Sequence, residues 1–331
     1  MKKRPTITGI VHIGLGNFHR AHLAIYTAIA MEKFGGNWGI CAYSMRNEKL
    51  VSGMRTQDNL YSVVEIGPET EAAVIPGVHT RTLVGESDLP ELIAQIANPE
   101  TKIVSLTVTE AGYYISQGSR GLDIQHPDVI NDLSGKISKT IYGILTQALS
   151  VRARIGAGPI TILSCDNVAS NGSQCHSLIL EFVEHIGNSE LKDFISTQVS
   201  FPNSMVDRIV PGTESAHLTM AAKRLGVTDA IPVPAEKFTM WAVEDNFIAG
   251  RPQWEAAGAI FTTEVEKFEV MKLRLLNGAH SLLAYVGALS GHQTIPESRF
   301  NPLIERALRE ALYKEYLPSL EMPSGLNADT Y

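Results

Sequence analysis

The 331-residue chain is 44% hydrophobic and 19% charged, a balance that places it among globular proteins and leaves enough apolar material for two domains around a large core. Its net charge of −7 argues against the clustered cations that nucleic acids and anionic membranes select, so neither partner is expected and small molecules are the expected ligands. Cys41, Cys165 and Cys175 form no C-x-x-C pair, and no run approaches the length of a membrane span, so a reducing, cytoplasmic compartment is expected.

Lys2, Lys3 and Arg4 precede an apolar segment, but Pro5, His12 and a glycine turn interrupt it too early for a signal-peptide core. The segment reads as the first strand, Thr8 to Ile13. After it come Gly14-Leu15-Gly16-Asn17-Phe18-His19-Arg20-Ala21-His22 and a helical pattern through about Phe34. Strand, glycine turn and helix in that order open a dinucleotide site, where the first two glycines permit a tight turn and close approach of the pyrophosphate. Gly14 and Gly16 stand at those positions, with Asn17 and Phe18 beside them as further candidate contacts. His19 replaces the third glycine of G-x-G-x-x-G, so the fingerprint is partial and a plain turn is the competing reading. Arg20 either adds a cation near the phosphates or is a surface arginine in a first helical turn.

Trp38 to Tyr43 reads as the second strand. Where an acid normally takes the ribose hydroxyls of NAD, the chain has Ser44-Met45-Arg46, and Arg46 leaves NADP open beside NAD. Buried-type strands follow at Ile103 to Thr109, ending in Thr109-Glu110-Ala111-Gly112-Tyr113-Tyr114, and at Pro159 to Leu163, ending in Ser164-Cys165-Asp166-Asn167. Helical patterns at Ser87 to Ala97 and Lys136 to Arg154 alternate with them, as a doubly wound α/β sheet requires. Ligands bind outside the carboxyl ends of such strands, which makes Glu110 a candidate cofactor contact. Asp166 either lines the same crevice or caps a helix, and the carboxamide of Asn167 can donate to a substrate oxygen.

Met205 to Val210 is an apolar strand broken by Asp207 and Arg208. Asp207 is a further cofactor candidate or half of a structural ion pair. Thr239 to Pro252 reads as a loop-like passage, and the domain boundary is placed after it: a dinucleotide-binding domain over residues 1–262 and a helical substrate domain over 263–331. Helical patterns dominate from Val265 to Val286 and from Asn301 to Tyr316. Val270, Met271, Leu273, Leu275, Leu276, Leu282, Leu283 and Val286 fall on nearly every side of a helical wheel, which predicts a largely buried helix. At roughly 100° per residue, Lys272, His280 and Asn277 stand near about 0°, 80° and 140°, on one arc facing a common space. Burial lowers the pKa of a lysine toward neutrality, the condition for a general base; the competing reading is a snorkelling lysine beside a buried polar pair. Glu269, three residues before Lys272, either exchanges the lysine's proton with solvent or forms a simple ion pair.

Five passages carry a family resemblance: Ile10 to Gly16 with Phe18 to His22, Ser164-Cys165-Asp166-Asn167, Met205-Val206-Asp207-Arg208-Ile209, Glu244-Asp245-Asn246-Phe247, and Lys272-x4-Asn277-x2-His280. Occurring in this order, they make the chain resemble the polyol-specific long-chain dehydrogenases and reductases, the group of mannitol 2-dehydrogenase, fructuronate and tagaturonate reductases and arabinitol dehydrogenases. The resemblance covers nearly the whole chain. It implies a Rossmann-type domain, a mostly α-helical C-terminal domain and metal-independent hydride transfer between NAD(P) and a polyol or ketose. It matches Lys272 to the general base, Asn167 and Asn277 to carboxamides holding the reacting oxygen, and His280 to a residue that positions substrate hydroxyls. Three scattered cysteines provide no zinc cluster, and no tyrosine has the lysine four residues later that short-chain dehydrogenases use, so Lys272 is the best base available.

Interconversion of mannitol and fructose is the leading expectation, since Arg46 and Gln57-Asp58-Asn59-Leu60-Tyr61 look more like the mannitol branch. Reduction of a keto-uronate such as fructuronate is the runner-up. The chain reaches Thr330-Tyr331 where relatives continue through more of the helical domain, including basic residues that help hold substrate. An incomplete helical domain is therefore expected, with exposed apolar surface, self-association, and an inactive dinucleotide-binding fragment as the reading from a different class.

Overall fold

Short apolar runs, many of them rich in β-branched residues, form the strands: β1 (Thr8–Ile13), β2 (Gly39–Ser44), β3 (Val63–Ile66), β4 (Ala73–Val74), β5 (His79–Val84), β6 (Ile103–Leu106), β7 (Ile160–Ser164), β8 (Val199–Ser200), β9 (Ser204–Asp207), β10 (Val233–Glu236), β11 (Met240–Val243) and β12 (Ile260–Phe261). In this computed structural model, which describes residues 4–67, 72–118 and 120–328, the main sheet has the order β5-β2-β1-β6-β7-β8. Every pairing in it is parallel. Chain order therefore reverses between β1 and β6, the switch point at which doubly wound sheets bind ligands.

Both faces of this sheet are covered, and the pleat shows it. Val11, Cys41, Val104 and Ile162 enter one core with the helices Leu89–Ala97, Ile141–Arg154 and Asn171–His185. Their neighbours Ile10, Ile40, Ile103 and Leu163 enter a second core with the helix Leu23–Phe34, β10, β11 and Trp254. Successive residues point to opposite faces, and a sheet buried on both sides must be apolar on both. Two smaller sheets, β10-β3-β4 and β12-β11-β9, complete the first unit.

The chain divides into units of residues 1–261 and 262–331, one residue earlier than the expected boundary. Within the first unit, Thr239 to Pro252 is not simply a loop. Met240–Val243 pairs antiparallel with β9 and parallel with β12, and fully buried Trp241 anchors it. The strand β5 is an addition to the sequence reading; it lies at the edge of the main sheet beside β2.

The second unit is helical: Val265–Met271, a π-helical turn Lys272–Asn277, then Gly278–Leu289, Ile295–Phe300, Pro302–Ala311 and a second π turn Leu312–Tyr316. The expectation of a helix buried on nearly every side fails here. In Gly278–Leu289 only Leu283 and Gly287 are buried, while Leu273 is 62% and Leu289 90% exposed. The physical reason is that the small cluster of Leu283, Ile304 and Leu308 covers one side of the helix, and apolar neighbours such as Ala279 and Leu282 pack at its edge. Among the described residues no helix is long and apolar enough to cross a membrane, and no group of three or more His, Cys, Asp or Glu could hold a metal ion.

Candidate functional site

The turn after β1 is built so that residue 14 has to be glycine. Gly14 has φ +109°, and a Cβ there would lie 2.0 Å from the carbonyl oxygen of Thr107. Both Gly14 N–H and Leu15 N–H donate to the Tyr43 carbonyl, at 2.9 and 3.0 Å, which ties the turn to the end of β2. Gly16 is less constrained, since its nearest neighbour to an added Cβ is 3.7 Å away. The expected helix through Phe34 is present but interrupted, running Asn17–Ala21 and resuming at Leu23.

His19, which occupies the third glycine position, is buried in place of an open backbone contact. Its ring stacks on His12 with centroids 3.5 Å apart, and its Nε2 lies 3.0 Å from Nε2 of His79. The ring of His12 bridges Ser105 Oγ at 2.9 Å and Thr107 Oγ1 at 3.0 Å. Because Thr107 spends its hydroxyl proton on the Gly14 carbonyl at 2.9 Å, Nε2 of His12 must be the protonated nitrogen. The stack thus reaches the glycine turn through one threonine. Burial lowers His12 and His79 to about 3 and His19 well below the ordinary histidine value, so all three rings are neutral.

At the switch point lies a cleft of about 410 Å³. Its walls come from the glycine turn (Gly14, Leu15), the end of β2 (Ser44 to Asn47), the loop after β6 (Val108, Thr109, Ala111, Gly112, Tyr114) and the start of Ile141–Arg154 (Lys139 to Ile141). Among the described residues two cations, Arg46 and Lys139, line it, and no carboxylate does. Arg46 and Gly14 are therefore brought together as expected. Thr109 lines the cleft from the polar cluster expected at the end of the strand that starts at Ile103, whereas Lys139 is an addition that no local pattern announced, because it reaches the cleft from an element distant in sequence.

Other expected contacts lie elsewhere. Arg20 does not line the cleft: it is buried, donates to the Ile231 carbonyl and to Asn17 Oδ1 (both 2.6 Å), and sits 5.1 Å from the Tyr61 ring centroid. Its two terminal nitrogens are spent on these part-buried acceptors while its Nε has no partner, so it ties the segment before β10 to the first helix instead of facing a phosphate. Asn17 accepts that bond and donates to the Pro211 carbonyl at 3.3 Å, and Phe18 stacks on His22. Glu110 is exposed in the turn Glu110–Tyr113 and is not a lining residue. Asp207 is buried at the end of β9, opposite Met240, also outside the lining. Gln57 and Tyr61, read as branch markers, serve packing: Gln57 donates to Asp229 and Tyr61 to the Arg20 carbonyl.

At the end of β7, Asp166 does not cap a helix; Ser170 stands at the N-cap of Asn171–His185. Its carboxylate instead accepts from Val108 N–H (3.1 Å), Thr109 N–H (2.8 Å) and Tyr113 OH (3.0 Å). Burial raises its pKa, and these three donors oppose the rise. Asn167, the next residue, is exposed.

In the second unit Lys272 is 9% exposed and opens the π turn that ends at Asn277. A π turn closes its hydrogen-bonded ring one residue later than an α turn, so the uniform 100° arithmetic does not hold across 272–277. Such single turns inside α-helices recur at functional sites. Asn277 and His280 are exposed, and Glu269 is half-buried on the preceding turn. His280 also lines a pocket of about 280 Å³ with Arg299, Glu305, Arg309 and apolar neighbours including Leu276 and Leu308. Glu305 pairs with both arginines, at 2.9 and 3.0 Å.

Comparison with known proteins agrees along the chain. Residues 8–256 match the family model described as the mannitol dehydrogenase Rossmann domain, and residues 264–331 the mannitol dehydrogenase C-terminal domain. A mannitol 2-dehydrogenase of Pyrenophora tritici-repentis is 39% identical over 337 residues, covering 100% of this chain and 60% of its own length. A D-mannonate oxidoreductase of Escherichia coli is 39% identical over 97% of this chain and 67% of its own. The chain thus spans about 60% of the length of the first of these relatives. The solved Pseudomonas fluorescens mannitol 2-dehydrogenase, in ternary complex with NAD and D-mannitol, superposes with a TM-score of 0.92 at 37% identity, over 99% of this chain and 69% of that one. A D-sorbitol dehydrogenase in substrate-free form gives 0.91 at 31% identity, with 99% and 70% covered.

Proposed function

The chain belongs to the mannitol dehydrogenase family, and on that premise we propose that it transfers a hydride between NAD(H) and a secondary alcohol of a polyol, with D-mannitol and fructose as the first pair to test. The observation that carries this reading is the switch-point cleft, where a turn that only glycine can make meets two cations and, among the described residues, no carboxylate. That is the chemistry of a pyrophosphate seat. The glycine turn and the two cations suit the pyrophosphate that NAD and NADP share, and Arg46 at the end of β2 also suits the 2′-phosphate of NADP.

The bound nicotinamide supplies the hydride acceptor; the chain's own residues manage the proton and the oxygen. Lys272, buried at the start of the π turn, takes the hydroxyl proton during oxidation and returns it during reduction. Asn277 donates from its carboxamide to the reacting oxygen as negative charge develops there, and His280 orients neighbouring hydroxyls. Glu269, one turn before Lys272, is the proposed route for the lysine's proton to solvent. The same reading places the reaction in the cytoplasm, in keeping with three free, buried cysteines.

A second reading, reduction of a keto-uronate, is supported by the similarity to D-mannonate oxidoreductase and by Arg299 and Arg309 beside His280. The test is NADH absorbance with mannitol, arabinitol, fructose and fructuronate, each repeated with the Lys272→Ala variant. Turnover that vanishes in Lys272→Ala while NADH affinity stays within about threefold supports the proposal. Turnover retained by the variant overturns the assignment of the base. NADH binding with no turnover on any substrate favours a dinucleotide-binding protein that is not an active enzyme.

A further inference from the structure

Thr109 sits where threonine should not. Its φ of 68° and ψ of 163° fall in a region populated almost only by glycine, and a β-branched side chain makes the conformation worse. Such a conformation persists only where the surroundings over-determine it. Here the Thr109 carbonyl accepts the Gly112 N–H at 3.0 Å, and on the amide side the surroundings are one carboxylate. The two oxygens of Asp166 accept the N–H groups of Val108 and Thr109, and one of them also accepts the Tyr113 hydroxyl.

Asp166 is itself fixed. The Asn171 side chain donates to the Asp166 carbonyl at 3.0 Å and to the Ser204 carbonyl at 2.8 Å, while Ser204 N–H donates back to Asn171 Oδ1 at 2.9 Å. Tyr113, fully buried, meets Ser164 Oγ at 2.6 Å and accepts the Tyr142 hydroxyl at its carbonyl. The end of β7 is thereby bolted to β9, and the loop after β6 hangs from it. Val108 and Thr109 line the cleft together with Gly14 and Leu15, and the Thr107 carbonyl backs onto Gly14. If Thr109 relaxed to an ordinary extended or helical conformation, the peptides on either side of it would swing and that wall of the cleft would be lost.

We propose that Asp166 is a positioning residue for the cofactor cleft, holding Thr109 in its glycine-like backbone conformation and so setting the wall contributed by the loop after β6. This rests on the reading of the cleft as a dinucleotide seat. An Asp166→Asn side chain has nearly the same shape but only one acceptor oxygen, and its NH2 group would point a donor at a donor. One backbone N–H would be left unpaired and Thr109 would relax. Glycine at 109 needs no clamp, so the effect of losing the carboxylate must depend on which residue stands there. A general structural role for a buried aspartate predicts no such dependence.

The experiment is a double-mutant cycle of Asp166→Asn and Thr109→Gly, read by NADH fluorescence titration of the full chain. Asp166→Asn is expected to weaken NADH binding at least about tenfold in the parent, and by no more than about threefold in the Thr109→Gly background. Equal losses in both backgrounds, or no loss in the parent, would overturn the proposal. Should Asp166→Asn alone fail to fold, recovery of folded, NADH-binding protein on adding Thr109→Gly supports the clamp, and failure to recover overturns it. Amide hydrogen exchange at Val108 and Thr109 supplies a readout free of cofactor: protection in the parent must fall at least about tenfold in Asp166→Asn. If the parent binds no NADH, the dinucleotide reading fails, and the exchange measurement still decides whether the clamp exists.

Discussion

The stacked histidines make the fold acid-labile in a way that can be calculated. His12, His19 and His79 are buried and neutral, with His12 and His79 lowered to about 3 and His19 lowered well below the ordinary value, chiefly by burial away from water. In the unfolded chain each titrates near about 6.5. A histidine depressed by folding favours the unfolded state once that state can take the proton. Its contribution is therefore fully present above about pH 6.5 and is lost progressively as pH falls toward about 3. For one such histidine the loss is about 1 kcal/mol at pH 5.5 and about 3 kcal/mol at pH 4.5; for His12 and His79 together it is about 3 and about 5 kcal/mol, with His19 acting in the same direction. That compares with a total stability of about 5–15 kcal/mol for an ordinary domain, so unfolding is expected near about pH 4.5–5. Urea titrations from pH 7.5 to 5, followed by circular dichroism, measure the slope in a window above most carboxylate titrations. His79→Gln removes one titrating ring and can still pair with His19, so it should lower the slope by about a third. Stability that is flat from pH 7 to 5.5, or an unchanged slope in His79→Gln, would refute the reasoning.

Two other perturbations bear on the cleft. Gly14→Ala places a methyl group 2.0 Å from the Thr107 carbonyl at a φ of +109°, with a backbone cost of about 1–3 kcal/mol before the clash is counted. NADH binding should be abolished and the melting temperature lowered; a variant that binds NADH normally would show that this turn does not seat the cofactor. Arg46→Ala should weaken NADPH more than NADH, by about three- to tenfold at low salt with the difference shrinking as salt rises. Equal weakening of both would exclude a 2′-phosphate contact.

Much of the architecture was readable because its signals are local. The first strand, its glycine turn and the strands at 39–44 and 160–164 were expected within one residue at each end, since apolar runs and glycine leave a mark over five or six positions. The edge strand β5 left a weaker mark. His79, Arg81 and two threonines interrupt its apolar pattern, and it becomes a strand by pairing with β2 some 40 residues away. Met240–Val243 was hidden by the polar passage after it and is defined by its pairing with β9. The candidate site divides in the same way. Gly14 and Arg46 could be picked out from the strand ends, whereas Arg20, chosen for its charge beside the turn, is spent on the Ile231 carbonyl.

By itself, the sequence determined the alternation of strands and helices, the glycine at the turn, the absence of an acid at the end of β2, and a lysine, an asparagine and a histidine spaced along one apolar helix. These are properties of composition and period, which a chain carries before it folds. Only the tertiary structure decided that His19 fills the third glycine position by stacking on His12, that Lys272 opens a π turn, and that Thr109 is held in a glycine-like conformation by a carboxylate 57 residues away. Each of these depends on a hydrogen bond or a packing contact between segments distant in sequence. Backbone strain in particular has no sequence signature, because it is imposed by the partners that over-determine it.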